Sequence, residues 1–119
     1  MWWLQDDPRL SAEARDALAA AEEPLLSACT LFEVAIKSSL GKLEVPTEWA
    51  EELVAEGFSL LPISIAHAQA YRELPYVKVD GSAFRDPFDR LLVAQAEVEG
   101  LPIVTRDPAI LAHGPKTVW

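Results

Sequence analysis

The chain has 119 residues, half of them hydrophobic, which is enough for one domain with a real core and excludes a disordered tail. A formal charge of −9 and a pI of about 4.6 argue against broad electrostatic binding of nucleic acid, while leaving room for a local basic patch or a basic partner. The single cysteine, Cys29, excludes an intrachain disulfide framework and fits a reducing cytoplasm; no apolar run approaches a membrane span, and the N-terminus lacks a signal-peptide pattern.

Met1-Trp2-Trp3-Leu4 places two tryptophans, which want burial, where chain ends usually fray. After the break at Asp6-Asp7-Pro8, Ser11-Ala12-Glu13 opens a helix that stops before Pro24. Pro24 to Ala28 is a short apolar run that reads as a buried strand. A helix is expected from about Thr30 to Leu40, with Thr30-x-x-Glu33 as a capping box, Lys37 one turn beyond Glu33, and Gly41 as the stop. Pro46-Thr47-Glu48 starts the next helix, running to Gly57; Phe58 to Ile63 is the second strand candidate. Ser64 caps a helix from about Ile65 to Leu74, and a lone helical His67 reads as surface or half-buried. Pro75 to Ala83 reads as a loop turning at Asp80-Gly81.

Arg85-Asp86-Pro87-Phe88-Asp89-Arg90 marks an abrupt helix start: Asp86 suits the N-cap, Pro87 the first helical position, and Asp89 the first turn. Behind it the helix is apolar almost all round (Leu91, Leu92, Val93, Ala94, Ala96, Val98) until Gly100, as expected for a buried helix. Leu101 to Thr105 is apolar without alternation, the pattern of a parallel strand covered on both faces. Arg106-Asp107-Pro108 repeats the cap-then-proline arrangement and opens a short helix, and Lys116 to Trp119 is a last short strand.

Strands alternating with helices imply an α/β domain with a mainly parallel sheet, in which ligands bind beyond the carboxyl ends of the strands. Glu33 and Asp107 each lie just past such an end, and Asp89 lies in the opening of the central helix. Right-handed crossovers bring these openings to one edge of the sheet. Carboxylates gathered there repel one another, and a hard divalent cation such as Mg²⁺ or Mn²⁺ resolves that conflict. Independent helix caps explain the same residues without any metal, and the pattern alone weighs the two about evenly.

The segments Thr30 to Leu43, Asp86 to Ala96 and Thr105-Arg106-Asp107 resemble, in order and spacing, the second-, third- and fourth-acid segments of PIN-domain proteins, and most of all the VapC-type toxins of bacterial toxin–antitoxin pairs. The resemblance runs from Trp2 to Trp119. It implies a PIN-like (Rossmann-like) three-layer fold and a Mg²⁺- or Mn²⁺-dependent endoribonuclease neutralised by a cognate antitoxin and forming a homodimer. Carried over by position, Glu33, Asp89 and Asp107 become the catalytic and metal-binding acids, with Asp86 as an accessory ligand. Arg90 and Arg106 become candidates to contact RNA, beside Arg85 and Lys37, whose plainer reading is solvated charge. The family's first strand, central in the sheet and ending in aspartate, has no counterpart; Asp6 and Asp7 match the loop after the helix that follows it. The expectation is therefore one PIN-like domain over residues 1–119 that lacks this strand. A second function stays open beside RNA cleavage: a protein with an incomplete metal site that still binds an antitoxin or another protein partner. A phosphate-binding regulator would need a glycine-rich phosphate loop, and none is present.

Overall fold

In the computed structural model the described residues are 12–13, 16, 20, 23–76, 78–79, 82–83, 86–104, 110, 113–115 and 117–118. The tryptophans at the start, Asp6, Asp7, Arg85, Arg106 and Asp107 lie outside them.

The apolar run after Pro24 forms strand β1 (Leu25–Ser27), buried at every position, as a strand covered on both faces must be. Helix α1 (Ala28–Ser39) follows without a break. Its cap is Ser27, whose hydroxyl accepts from the Cys29 N–H at 3.1 Å. This corrects the expected capping box by one helical turn: Thr30 lies inside the helix, 4% exposed, and its Oγ1 has no hydrogen-bond partner among the described residues. Both Ser27 and Thr30 suit a cap, and the strand's end decided between them. Gly41, at φ 72°, closes the helix in the left-handed conformation that glycine adopts without a Cβ penalty.

Helix α2 (Trp49–Ala55) leads into strand β2 (Ser59–Leu61), which pairs in parallel with β1, Leu26 opposite Leu60. Helix α3 (Ile65–Glu73) starts on a reciprocal box: Ser64 Oγ accepts from the His67 N–H, and His67 Nδ1 accepts from the Ser64 N–H. His67 is 2% exposed, not a surface residue. The segment read as a loop carries a small antiparallel pair, β3 (Lys78–Val79) with β4 (Ser82–Ala83). Two residues per strand are too few to leave a period-2 pattern in the sequence.

Helix α4 (Pro87–Glu99) runs from its Asp86 cap to Gly100 in the left-handed conformation. Leu92, Val93 and Ala94 are buried, but Val98 is 40% exposed, so the helix is buried through its middle and surfaces in its last turn. It packs most extensively on α3 and also on α1. Leu92 and Val93 meet Leu74, Ile103 and Ile110 in the core. Strand β5 (Ile103–Val104) pairs in parallel with β6 (Thr117–Val118). Among the described residues the parallel pairing falls in two ladders, β1–β2 and β5–β6. No helix among the described residues is long and apolar enough to cross a membrane.

Arg90 corrects an expectation. It is 1% exposed, so its guanidinium cannot reach a phosphate in solvent. It donates instead to the Leu74 carbonyl at 2.8 Å and the Pro75 carbonyl at 3.2 Å, and its Cζ lies 3.7 Å from the Tyr76 ring centroid and 5.0 Å from that of Tyr71. The stem is buried, the charge is shared between carbonyls and aromatic faces, and the end of α3 is tied to the start of α4. Arg90→Leu should strand the buried Leu74 carbonyl and lower unfolding stability by roughly 2–3 kcal/mol, seen as a lower urea midpoint. An unchanged midpoint would show that the clamp contributes nothing.

Candidate metal centre

Two helices bring three carboxylates together. Glu33 stands on the second turn of α1; Asp86 caps α4 and Asp89 follows in its first turn. One oxygen from each lies within 4.8 Å of the other two. Asp86 Oδ1 accepts from the Phe88 N–H at 2.9 Å and the Asp89 N–H at 3.2 Å, so the capping role is real and coexists with membership of the cluster. Asp89 is 7% exposed, and the Glu33 side chain is 14% exposed. Lys37 Nζ lies 3.6 Å from Glu33 Oε2, in the i,i+4 pair read from the sequence. The side chain of Lys37 is 41% exposed, and such a pair offsets only about 0.3–0.5 kcal/mol. Two ionised carboxylates at this separation repel by roughly 3 kcal/mol at an effective dielectric of about 20. The Phe32 and Phe88 rings, with centroids 6.0 Å apart and planes tilted by 59°, join α1 to α4 beside the cluster.

Cys29 registers the same field. Its thiol is buried, donates to the Phe88 carbonyl at 3.2 Å, and is pushed up from 9.0 to about 12, first by burial and then by the charges of Glu33, Asp89 and Asp86. The raised value means that the folded state holds the thiol proton to higher pH than the unfolded chain does. Stability from this group is thus intact below about pH 9 and falls as pH climbs toward 12, by up to roughly 1.4 kcal/mol per pH unit. Cys29→Ala should flatten that alkaline slope in urea melts between pH 8.5 and 10.5. An equal slope in both proteins would place its origin elsewhere.

The donor set suits a small hard cation. All three groups offer carboxylate oxygen, the ligand type of Mg²⁺ and Mn²⁺. Oxygens bound to one octahedral Mg²⁺ lie about 3–4 Å apart, a spread that small side-chain rotations reach from the observed cluster. Asp107, expected from the sequence as a further acid, and Arg106 lie outside the described residues. The hydrogen-bonding role of Gln95, described below, left no signal in the sequence beyond a polar residue in an apolar helix.

The fold, the order of its elements and the family model agree: the chain belongs to the PIN domain family, whose model matches residues 1–114. Within that family it is of the VapC ribonuclease type. It is 32% identical over 125 aligned positions to Ribonuclease VapC22 of Mycobacterium tuberculosis, across 99% of this chain and 91% of that protein. Two solved structures share the fold. The crystal structure of FitAcB from Neisseria gonorrhoeae superposes with a TM-score of 0.66 at 21% identity, over 98% of this chain and 96% of that one. The structure of FitAB bound to the IR36 DNA fragment gives 0.67 at 20%, over 98% and 93%.

Proposed function

We propose that this chain is a Mg²⁺- or Mn²⁺-dependent endoribonuclease and the toxin of a type II toxin–antitoxin pair. The observation that carries the reading is the convergence of Glu33, Asp86 and Asp89 oxygens within 4.8 Å, from α1 and the start of α4. Those three residues would hold the ion, and the ion would supply an activated water and neutralise charge at the phosphodiester. The chain's own contribution is placement. Asp86 is fixed by its two backbone N–H donors, so one oxygen stays aimed into the helix while the carboxylate stands at the cluster. Lys37 moderates the charge of Glu33 without burying it. Asp107 and Arg106 enter this proposal by resemblance, as a further acid and a backbone-steering cation. Likeness to Ribonuclease VapC22 supports RNA as substrate, and a cognate antitoxin and a homodimer enter this proposal by the resemblance to VapC-type toxins.

The test is cleavage of a structured RNA by the purified chain with Mn²⁺, against EDTA and against Glu33→Gln. Cleavage that needs Mn²⁺ and Glu33 is the expected result; cleavage that survives EDTA would sink the metal reading. A second reading is a binding protein that engages an antitoxin without cleaving RNA. Antitoxin binding without Mn²⁺-dependent cleavage would select it.

A further inference from the structure

A continuous line of polar groups, buried from Ser27 to His67, ties the helices that carry the carboxylates. It begins at the cap of α1. Ser27 is fully buried; its Oγ accepts from the Cys29 N–H and donates to Gln95 Oε1 on α4. Gln95 is 1% exposed. Its Nε2 lies 3.3 Å from His67 Nδ1 and 3.4 Å from the Pro62 carbonyl. The other ring nitrogen, His67 Nε2, lies 3.3 Å from Glu99 Oε2.

The donors and acceptors along this line admit one assignment. The Ser64 N–H already points at His67 Nδ1, so that nitrogen is an acceptor and the ring proton sits on Nε2, facing the Glu99 carboxylate. The Pro62 carbonyl requires the amide nitrogen of Gln95, and His67 Nδ1, whose single lone pair the Ser64 N–H already engages, would repel an amide oxygen in that place. The Gln95 oxygen must therefore face Ser27. Gln95 and Glu99 are one turn apart on α4, and His67 of α3 spans both. The result is an amide whose orientation α3 has fixed, holding the first turn of α1.

What this bond opposes is visible at the cluster. Repulsion among Glu33, Asp86 and Asp89 pushes α1 away from α4. Ser27–Gln95 and Cys29–Phe88 are hydrogen bonds between the first turn of α1 and α4 or its start. Of the two, only Ser27–Gln95 is anchored to a third helix, through His67. We infer that Gln95 is a positioning residue for the metal centre: through Ser27 it holds α1 against α4, and so sets the spacing of Glu33 from Asp86 and Asp89. This rests on the metal reading proposed above.

The test uses Gln95→Met, which keeps the volume and removes both hydrogen-bonding ends. In metal-free protein at 20 °C, labelling of Cys29 by a maleimide should speed up about tenfold, because the N-terminal turn of α1 parts from α4 more often. Leu74→Ala, a destabilising core change away from the bridge, should speed labelling far less at the same temperature. Mn²⁺ binding followed by calorimetry should weaken about tenfold in Gln95→Met, the range found for residues that orient ligands without touching the ion. In a Ser27→Ala background, Gln95→Met should add little to either effect, since the partner is already gone; if Gln95→Met does not fold, Gln95→Asn, whose shorter amide cannot span Ser27 and His67 together, carries the same two expectations. Labelling no faster than wild type overturns the bridge. Faster labelling with unchanged Mn²⁺ affinity overturns positioning and leaves only a structural tie. Failure of the wild type itself to bind Mn²⁺ overturns the metal reading, and the positioning role falls with it.

Discussion

Asp89→Asn is expected to remove Mn²⁺-dependent RNA cleavage while keeping or raising the metal-free melting temperature. Asn retains the size and the hydrogen-bonding ability of Asp but withdraws one of three charges gathered within 4.8 Å. In metal-free protein that charge is a burden, because it repels Glu33 and Asp86 from a residue that is itself only 7% exposed. With metal bound it becomes a ligand. Loss of several kcal/mol of charge stabilisation at the phosphodiester corresponds to on the order of 10³-fold in rate. The opposite reading, that Asp89 only complements the positive end of α4, makes a different forecast: a loss of a few tenths to about 1 kcal/mol of stability and no change in cleavage. Thermal melts with and without Mn²⁺, run beside a cleavage assay, separate the two because the signs differ.

Leu26→Ala should be the most damaging single change to stability. Leu26 is the middle residue of β1 and 1% exposed, with layers of side chains on both faces. Removing it takes away the transfer energy of three carbons and leaves a cavity that a three-residue strand between a proline and a helix cap has little freedom to close. The expected loss is roughly 2–5 kcal/mol out of the 5–15 kcal/mol that holds a typical domain. Leu60→Ala is the matched control. It is the partner of Leu26 in the same ladder, but 52% exposed. Its loss should stay below about 1 kcal/mol. Equal losses at the two positions would mean that β1 is not the buried strand described above.

Much of the arrangement was legible because local signals and the fold agreed. Asp86-Pro87 marked the start of α4 and Gly100 its end, since a capping carboxylate, a proline at the first position and a left-handed glycine each have one natural place in a helix. The unbroken apolar run before Ser27 gave β1 for the same reason. The cap of α1 was misplaced because Ser27 and Thr30 are chemically equivalent candidates, and only the end of the strand distinguishes them. Arg90 was misread because an arginine beside acidic residues resembles a ligand for phosphate, whereas Tyr71, Tyr76 and two carbonyls, from a different part of the chain, enclose it. His67 and Gln95 were unreadable for a related reason. They are 28 residues apart, and each acquires meaning only from the other and from Ser27, which is 68 residues from Gln95. Sequence periodicity reports which face a residue lies on, not which polar atom across the core it meets.

The claim that Glu33, Asp86 and Asp89 form a metal centre is tested most directly by titrating Mn²⁺ into the purified chain, wild type and Asp89→Asn, and following binding by calorimetry. Saturable binding to the wild type, weakened by at least about tenfold in a variant that folds as well or better, is the predicted result. Equal binding to both proteins, or none to the wild type, would contradict it and leave Asp86 as a helix cap that Glu33 and Asp89 happen to meet.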